Sequence, residues 1–283
     1  MGSEMPTRSF PLCHTEAKSR ISGSRGPAAG RERRPDSGVG SDAARARYER
    51  ISAETRALPD FQPEDLERSR RLVDVASPTL ATRAFDVVTC VVGLPLPDRL
   101  AGAFAAELDQ VLALLPSATR VYRVAPSRLH WEVLVVRRPG EPAPRRSVAE
   151  LAAAVRRAAA SAAPFTIDFT GFFVSREGAV CFQGLGAWDP LRGALRAQLP
   201  DSSADQLVTG HVSAARILDP VGPDAFAALL ARRDAADHTA YGHLRVGAVK
   251  LVVERRWYME DRSVVCAAPL GGAAPAAQPT GSL

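Results

Sequence analysis

Leu129-His130-Trp131-Glu132-Val133 and Gly210-His211-Val212-Ser213-Ala214-Ala215-Arg216 are the two stretches on which the reading of this chain turns. Each sets a histidine in an apolar, strand-like segment, two residues ahead of a second polar side chain. Side chains alternate faces along a strand. His130 and Glu132 therefore share one face, and so do His211 and Ser213. By the same parity Trp131 points the other way, into a core. Arg216 falls opposite His211 and joins its face only if the strand ends or bulges before it.

The segments around these two stretches alternate between strand and helix patterns. Phe85–Val92 is a β-branched run stopped by Gly93 and Pro95. A helix from about Pro97 to Leu115 repeats Leu100, Phe104, Leu108, Val111 and Leu115 at helical spacing. Short strands follow at Thr119–Val124 and Arg128–Arg137, the second carrying His130. Ser147 and Glu150 form a capping box for an Ala-rich helix ending near Ala162. Phe165–Val174 and Ala179–Gly184 read as a hairpin around Arg176-Glu177-Gly178. Then come a helix at Asp189–Leu199, the second histidine strand at Leu207–Leu218, and a helix at Pro223–Arg233. Closing strands are expected at Tyr241–Arg255 and Ser263–Ala267. The order is β-α-β-β-α-β-β-α-β-α-β-β. His130 and His211 lie 81 residues apart, about half of this region. A pseudo-twofold arrangement of the two halves would bring both histidines to one central cleft.

Ahead of this region, residues 1–41 are rich in Ser, Gly, Arg and Pro without apolar periodicity, the composition of a disordered arm. Residues 42–80 read as a charged helical extension broken at Pro59 and Pro63, an accessory to the 81–268 domain. Residues 269–283 read as a disordered tail.

Composition narrows the class of protein. The chain has 283 residues, enough to bury a sizeable core. The net charge of +5 is spread thinly: residues 1–80 hold 14 basic and 12 acidic side chains, the remainder 22 and 19. Neither part is a dedicated polyanion binder. Cys13, Cys90, Cys181 and Cys266 are isolated from one another, with no CxxC or Cys/His spacing, so no zinc site is expected. Four scattered cysteines, with no signal-peptide stretch or membrane-length apolar run, point to a reduced cytoplasmic protein. No cofactor fingerprint is present. Gly184-Leu185-Gly186 lacks the third glycine of a dinucleotide loop and reads as a hairpin exit. His238 and His243 match neither helix nor strand pairing and read as loop residues. Arg137, Arg138, Arg145 and Arg146 flank a Pro-rich loop and read as solvated charge, or, since that loop follows the first histidine strand, as charge that approaches a phosphate backbone.

Two histidines facing one cleft suit the cleavage of a phosphodiester. A base must take a proton from water and an acid must protonate the leaving alkoxide, and imidazole serves both near neutral pH. In-line displacement puts them on opposite sides of phosphorus. A hydroxyl such as Ser213 and a guanidinium from Arg216 or Arg128 would hold the non-bridging oxygens. Tyr258, next to Trp257 after the long closing strand, reads as packing or as a stacking platform for a base at the groove's rim.

These two stretches resemble the paired signatures of the two-histidine (2H) phosphoesterases, the LigT-like 2′-5′ RNA ligase and cyclic phosphodiesterase superfamily. The second signature runs His, apolar, Thr or Ser, apolar, any residue, and often Arg, as in His211–Arg216. The resemblance spans roughly residues 83–267. It implies an α+β, bilobal fold with two pseudo-symmetric lobes whose antiparallel sheets face a central groove. It also implies His130 and His211 as the catalytic pair, Ser213 as a phosphoryl ligand, no metal or other cofactor, and an RNA end or small nucleotide as substrate. A monomer away from membranes is expected. One position departs from the signature: Glu132 stands where a Thr or Ser belongs. An ionised carboxylate about 4 Å from a phosphate charge repels it by about 4 kcal/mol at an effective dielectric of 20. Glu132 would then pair with a protonated histidine or an arginine, carry a proton itself, or mark a descendant that binds nucleotide or RNA without turnover. A third reading is an interaction module with an Arg-rich arm.

Overall fold

The structure, a computed structural model, describes residues 38–206 and 209–272. The expected arm and tail fall almost wholly outside these residues. Two helices open the described chain, α1 (Gly38–Arg56) and α2 (Pro63–Arg70). Then follow β1 (Ala84–Val92), α3 (Asp98–Leu112), β2 (Val121–Arg123), β3 (Trp131–Arg137), α4 (Val148–Ser161), β4 (Phe165–Val174), β5 (Ala179–Gly186), α5 (Asp189–Gln198) and β6 (His211–Ile217). The chain closes with α6 (Pro223–Ala235), β7 (Ala240–Val246), β8 (Ala248–Arg256) and β9 (Asp261–Pro269).

The strands form two antiparallel sheets, ordered β3-β1-β8-β9 and β2-β6-β5-β4-β7. The fold is therefore α+β and bilobal. His130 immediately precedes an edge strand of the first sheet, and His211 opens a central strand of the second. Helix α4 begins at the expected capping box: Glu150 N donates to Ser147 Oγ at 3.3 Å, and Ser147 N donates to Glu150 Oε2 at 2.7 Å. Its buried Leu151, Ala154, Val155 and Ala158 lie three or four residues apart, and the small alanines let the helix sit close to the sheet. Helix α3 buries Leu100, Phe104, Leu108 and Val111 on one stripe, as its periodicity required.

Two expectations are corrected. The run Tyr241–Arg255 is two strands, separated at Gly247, with β7 paired to β4 in one sheet and β8 paired to β1 and β9 in the other. The chain passes between lobes at a single residue, and the buried parity shifts there, from Val246 to Val249 with Gly247 and Ala248 exposed between them. The N-terminal extension is not an accessory. Phe61, Leu66 and Val73 are 1% exposed or less and belong to the main core.

The two sheets interlock beside the histidines. The Trp131 indole is fully buried and meets Phe169 and Trp188 edge-on, at 5.7 and 5.9 Å between ring centres. It fills the space over Gly184 and Gly210: a Cβ built on Gly210 would lie 1.9 Å from the indole, and one on Gly184 2.1 Å from it. The residue after His130 thus packs on the residue before His211. The free edge of β3 is covered by side chains and a loop. Gln206 exchanges two hydrogen bonds with Val135, at 2.9 and 2.7 Å. Arg192 Nε donates to Val133 O at 2.8 Å, and Ser203 N donates to Val136 O at 3.0 Å.

Candidate active site

Both histidines are held in the same way. His130 Nδ1 lies 2.8 Å from the Arg128 carbonyl, and His211 Nδ1 lies 3.1 Å from the Thr209 carbonyl. A carbonyl only accepts, so Nδ1 carries the proton in each ring and Nε2 presents a lone pair. Among the described residues no hydrogen bond engages either Nε2. Burial is the main cause that pushes His130 down to about 4, with Arg262 and His211 adding to it. His211 is also lowered, first by burial, with Arg216 pushing the same way and Glu132 pushing back. Both rings are neutral at pH 7, and each lies within electrostatic reach of the cleft's charges.

The strand register explains which other side chains join them. Ser213 pairs with Cys181 and Ala215 with Val180, so β6 carries one extra residue, a bulge, between Ser213 and Ala215. The bulge reverses the alternation. His211, Ser213 and Arg216 are all half-buried on one face, while Val212, Ala214, Ala215 and Ile217 are buried. Strand β3 bulges at the matching place, since Glu132 pairs with Val91 and Leu134 with Cys90.

Arg216 is fixed by two hydroxyls. Its Nε donates to Tyr258 Oη, and its Nη1 donates to Ser69 Oγ at 3.4 Å. No carboxylate pairs with it among the described residues, although buried guanidinium groups ordinarily have an anionic partner. Tyr258 is 7% exposed and stacks on Tyr122, with ring centres 5.1 Å apart. It orients Arg216 from within the core and does not form an exposed platform at the rim. Tyr258 adopts φ 59° and ψ 35°, left-handed for a bulky residue, and the neighbouring Met259 has φ 58°. Such backbone is costly and persists where packing over-determines it. Arg128 is engaged elsewhere: its Nη1 lies 3.1 Å from Glu260 Oε1, which also accepts from Tyr122 Oη at 2.9 Å.

Glu132 accepts from Thr89 Oγ1 at 3.2 Å. Burial raises its carboxyl, opposed by Arg138, Thr89, His211 and Arg192. A second carboxyl, Glu254 on β8, is 6% exposed and accepts from Met259 N at 2.7 Å. Burial pushes it up to about 8, with Glu132 adding to the rise and Arg262 opposing it. Beside Glu132, the cleft therefore holds Glu254, Arg192 and Arg262, which sequence patterning did not single out, and Arg138, which it read as solvated charge. These side chains come from β8, α5, β9 and the end of β3, and no local motif joins them.

His243 lies exposed in β7 and is not the expected loop residue. Among the described residues no group of three or more His, Cys, Asp or Glu side chains is placed to hold a metal ion. No helix among them is long and apolar enough to cross a membrane.

No family model and no curated protein matches the chain. Solved structures do. TT0787 of Thermus thermophilus is similar with a TM-score of 0.47 at 16% identity, over 66% of this chain and 100% of that one. LigT of E. coli, complexed with NADP+, is similar with a TM-score of 0.42 at 14% identity, over 66% and 99%. A structure described as a phosphoesterase gives 0.42 at 16% identity, over 65% and 98%.

Proposed function

We propose that this chain is a phosphoesterase that uses His130 and His211 as a paired base and acid. Its substrate class would be 2′,3′-cyclic or 2′-5′ phosphodiesters of RNA ends or nucleotides. One observation carries this reading. Arg216, without a carboxylate partner among the described residues, shares a face with Ser213 and His211, opposite a second neutral imidazole that likewise presents Nε2. That set matches what a phosphodiester anion needs: a guanidinium and a hydroxyl for the non-bridging oxygens, and one imidazole for each side of phosphorus. The resemblance of both histidine stretches to the 2H signatures points the same way.

In hydrolysis, Nε2 of one histidine takes a proton from water as the water oxygen bonds to phosphorus. The bond from phosphorus to the leaving oxygen breaks, and the other imidazole gives that oxygen a proton. Both rings are neutral in the free protein, so the acid must gain its proton as substrate binds. The phosphate charge favours this by raising the depressed imidazole. Glu132, which raises His211, would hold that proton on His211 until transfer. This assigns His211 as the acid and His130 as the base.

Glu132 also favours a second reading, a binding-only descendant of the same fold. A carboxylate in a phosphate cleft opposes the developing negative charge. The test is hydrolysis of 2′,3′-cyclic nucleotides and short 2′-5′ linked oligonucleotides in EDTA, with the His130→Ala/His211→Ala variant as control. Turnover lost in the variant supports the enzyme. Nucleotide binding without turnover in the wild type supports the binder.

A further inference from the structure

Strand β6 is gripped at both ends by the N-terminal helices. At its start, the Tyr48 hydroxyl accepts from Gly184 N at 3.2 Å and donates to the carbonyl of Gly210, with Gly184 O a second acceptor at 2.9 Å. Gly210 is the residue before His211. The Tyr48 ring also stacks on Phe173, with centres 5.6 Å apart at 28°, and Phe173 meets the His211 ring edge-on at 5.6 Å and 78°. Tyr48 therefore reaches His211 through both backbone and ring. At the other end, Ser69 of α2 donates to Glu177 O and accepts from Arg216 Nη1. Beside it Arg70 Nε donates to Leu218 O at 2.7 Å and Nη2 pairs with Asp219 at 3.4 Å. The buried face of α1 is unusual for a helix that merely packs. Its buried residues are Tyr48, Ser52 and Thr55, all hydroxylated, where an apolar stripe would serve packing alone. Thr55 Oγ1 likewise bonds a strand carbonyl, Val174 O, at 2.8 Å.

We propose that α1 and α2 are positioning elements of the active site, with Tyr48 setting the approach to His211 and Ser69 setting the guanidinium of Arg216. The inference rests on the phosphoesterase reading above and deepens it. Tyr48 governs the placement and hydration of an imidazole, so its loss acts on kcat and on the pH profile. Ser69 governs an anion ligand, so its loss acts on KM.

The test uses the full chain carrying Tyr48→Phe or Ser69→Ala, with 2′,3′-cyclic AMP as probe and thermal melting in parallel. Tyr48→Phe keeps the ring and should melt close to wild type. Its kcat should fall about tenfold, the upper end of what one hydrogen bond contributes, with KM unchanged within about twofold. The alkaline limb of its pH profile should move up, because the acid His211, loosened and better hydrated, keeps its proton to higher pH. Ser69→Ala should raise KM by up to about tenfold, with kcat and the alkaline limb in place. Two results overturn the inference: neither variant moves kcat, KM or the pH limb, or both lose activity only in proportion to the unfolded fraction. If the wild type does not turn over, the phosphoesterase reading fails on its own, and the inference is judged by NMR titration of the His211 imidazole. A higher His211 pKa in Tyr48→Phe than in wild type sustains it, and equal values refute it.

Discussion

Gly210→Ala is the smallest change that should separate the two histidines. The added Cβ would sit 1.9 Å from Trp131 Cζ2, 2.5 Å from Cη2 and 2.6 Å from Cε2. Ordinary contact begins near 3.4 Å, so the indole would have to retreat by about 1.5 Å. It has nowhere to go. Gly184 bounds it at 2.1 Å from a hypothetical Cβ, and Phe169 and Trp188 close two further sides. Overpacking of a dense core costs about 1–3 kcal/mol, and this clash belongs at the top of that range. For a folded unit of this size the melting temperature should fall by about 5–10 °C. Catalysis should suffer more than stability, because relief of the clash moves Trp131 and with it His130. The assays are thermal unfolding and turnover at a temperature where both proteins are fully folded. Trp131→Phe removes the atoms that clash, so the double variant Trp131→Phe/Gly210→Ala should be at least about 1 kcal/mol more stable than the sum of the single losses. A Gly210→Ala protein that melts and turns over like wild type would refute the interlock.

Other outcomes follow from the charges in the cleft. His130 is depressed to about 4 by burial, so its stability contribution is fully present above about pH 6.5 and is lost as pH falls toward 4. The loss reaches about 3 kcal/mol, and urea unfolding of His130→Gln should show a flatter profile across that window; parallel profiles would count against a buried neutral ring. Glu132→Thr removes a carboxyl and restores the hydroxyl of the 2H signature. Inorganic phosphate should then bind about tenfold or more tightly by calorimetry, and unchanged affinity would clear Glu132 of repelling the anion. Glu132→Gln should lower the His211 pKa further by NMR, because after the Thr209 carbonyl Glu132 is the charged group that raises it. Arg216→Ala should weaken phosphate binding about tenfold to a hundredfold with little change in melting temperature, and retained affinity would remove Arg216 from the anion site.

Much of the frame was legible from residues alone, for physical reasons. The capping box at Ser147 and Glu150 and the apolar stripe of α3 are local patterns, and local patterns survive without tertiary knowledge. The parity of the histidine strands was legible too, and parity stated the condition for Arg216: it joins His211 only through a bulge, which the register between Cys181 and Val180 supplies. The exchange between sheets at Gly247 was hidden because the run stays apolar and β-branched through it, and the shift of buried parity from Val246 to Val249 shows only once the partners are known. Tyr48 was hidden because α1 reads as a charged surface helix, and the strand carbonyls that Tyr48 and Thr55 bond lie far away in sequence. Arg262 and Glu254 reach the same cleft only because β8 pairs with β1 and β9 with β8.

The account stands on two imidazoles flanking a single anion site. The most direct measurement is a nitrogen-15 NMR titration of His130 and His211 with inorganic phosphate at pH 7. The account predicts two neutral rings protonated at Nδ1 that shift together along one binding curve, with that curve moved to about tenfold or more higher phosphate in Arg216→Ala. Two unrelated curves, or an imidazole that does not respond, would contradict it.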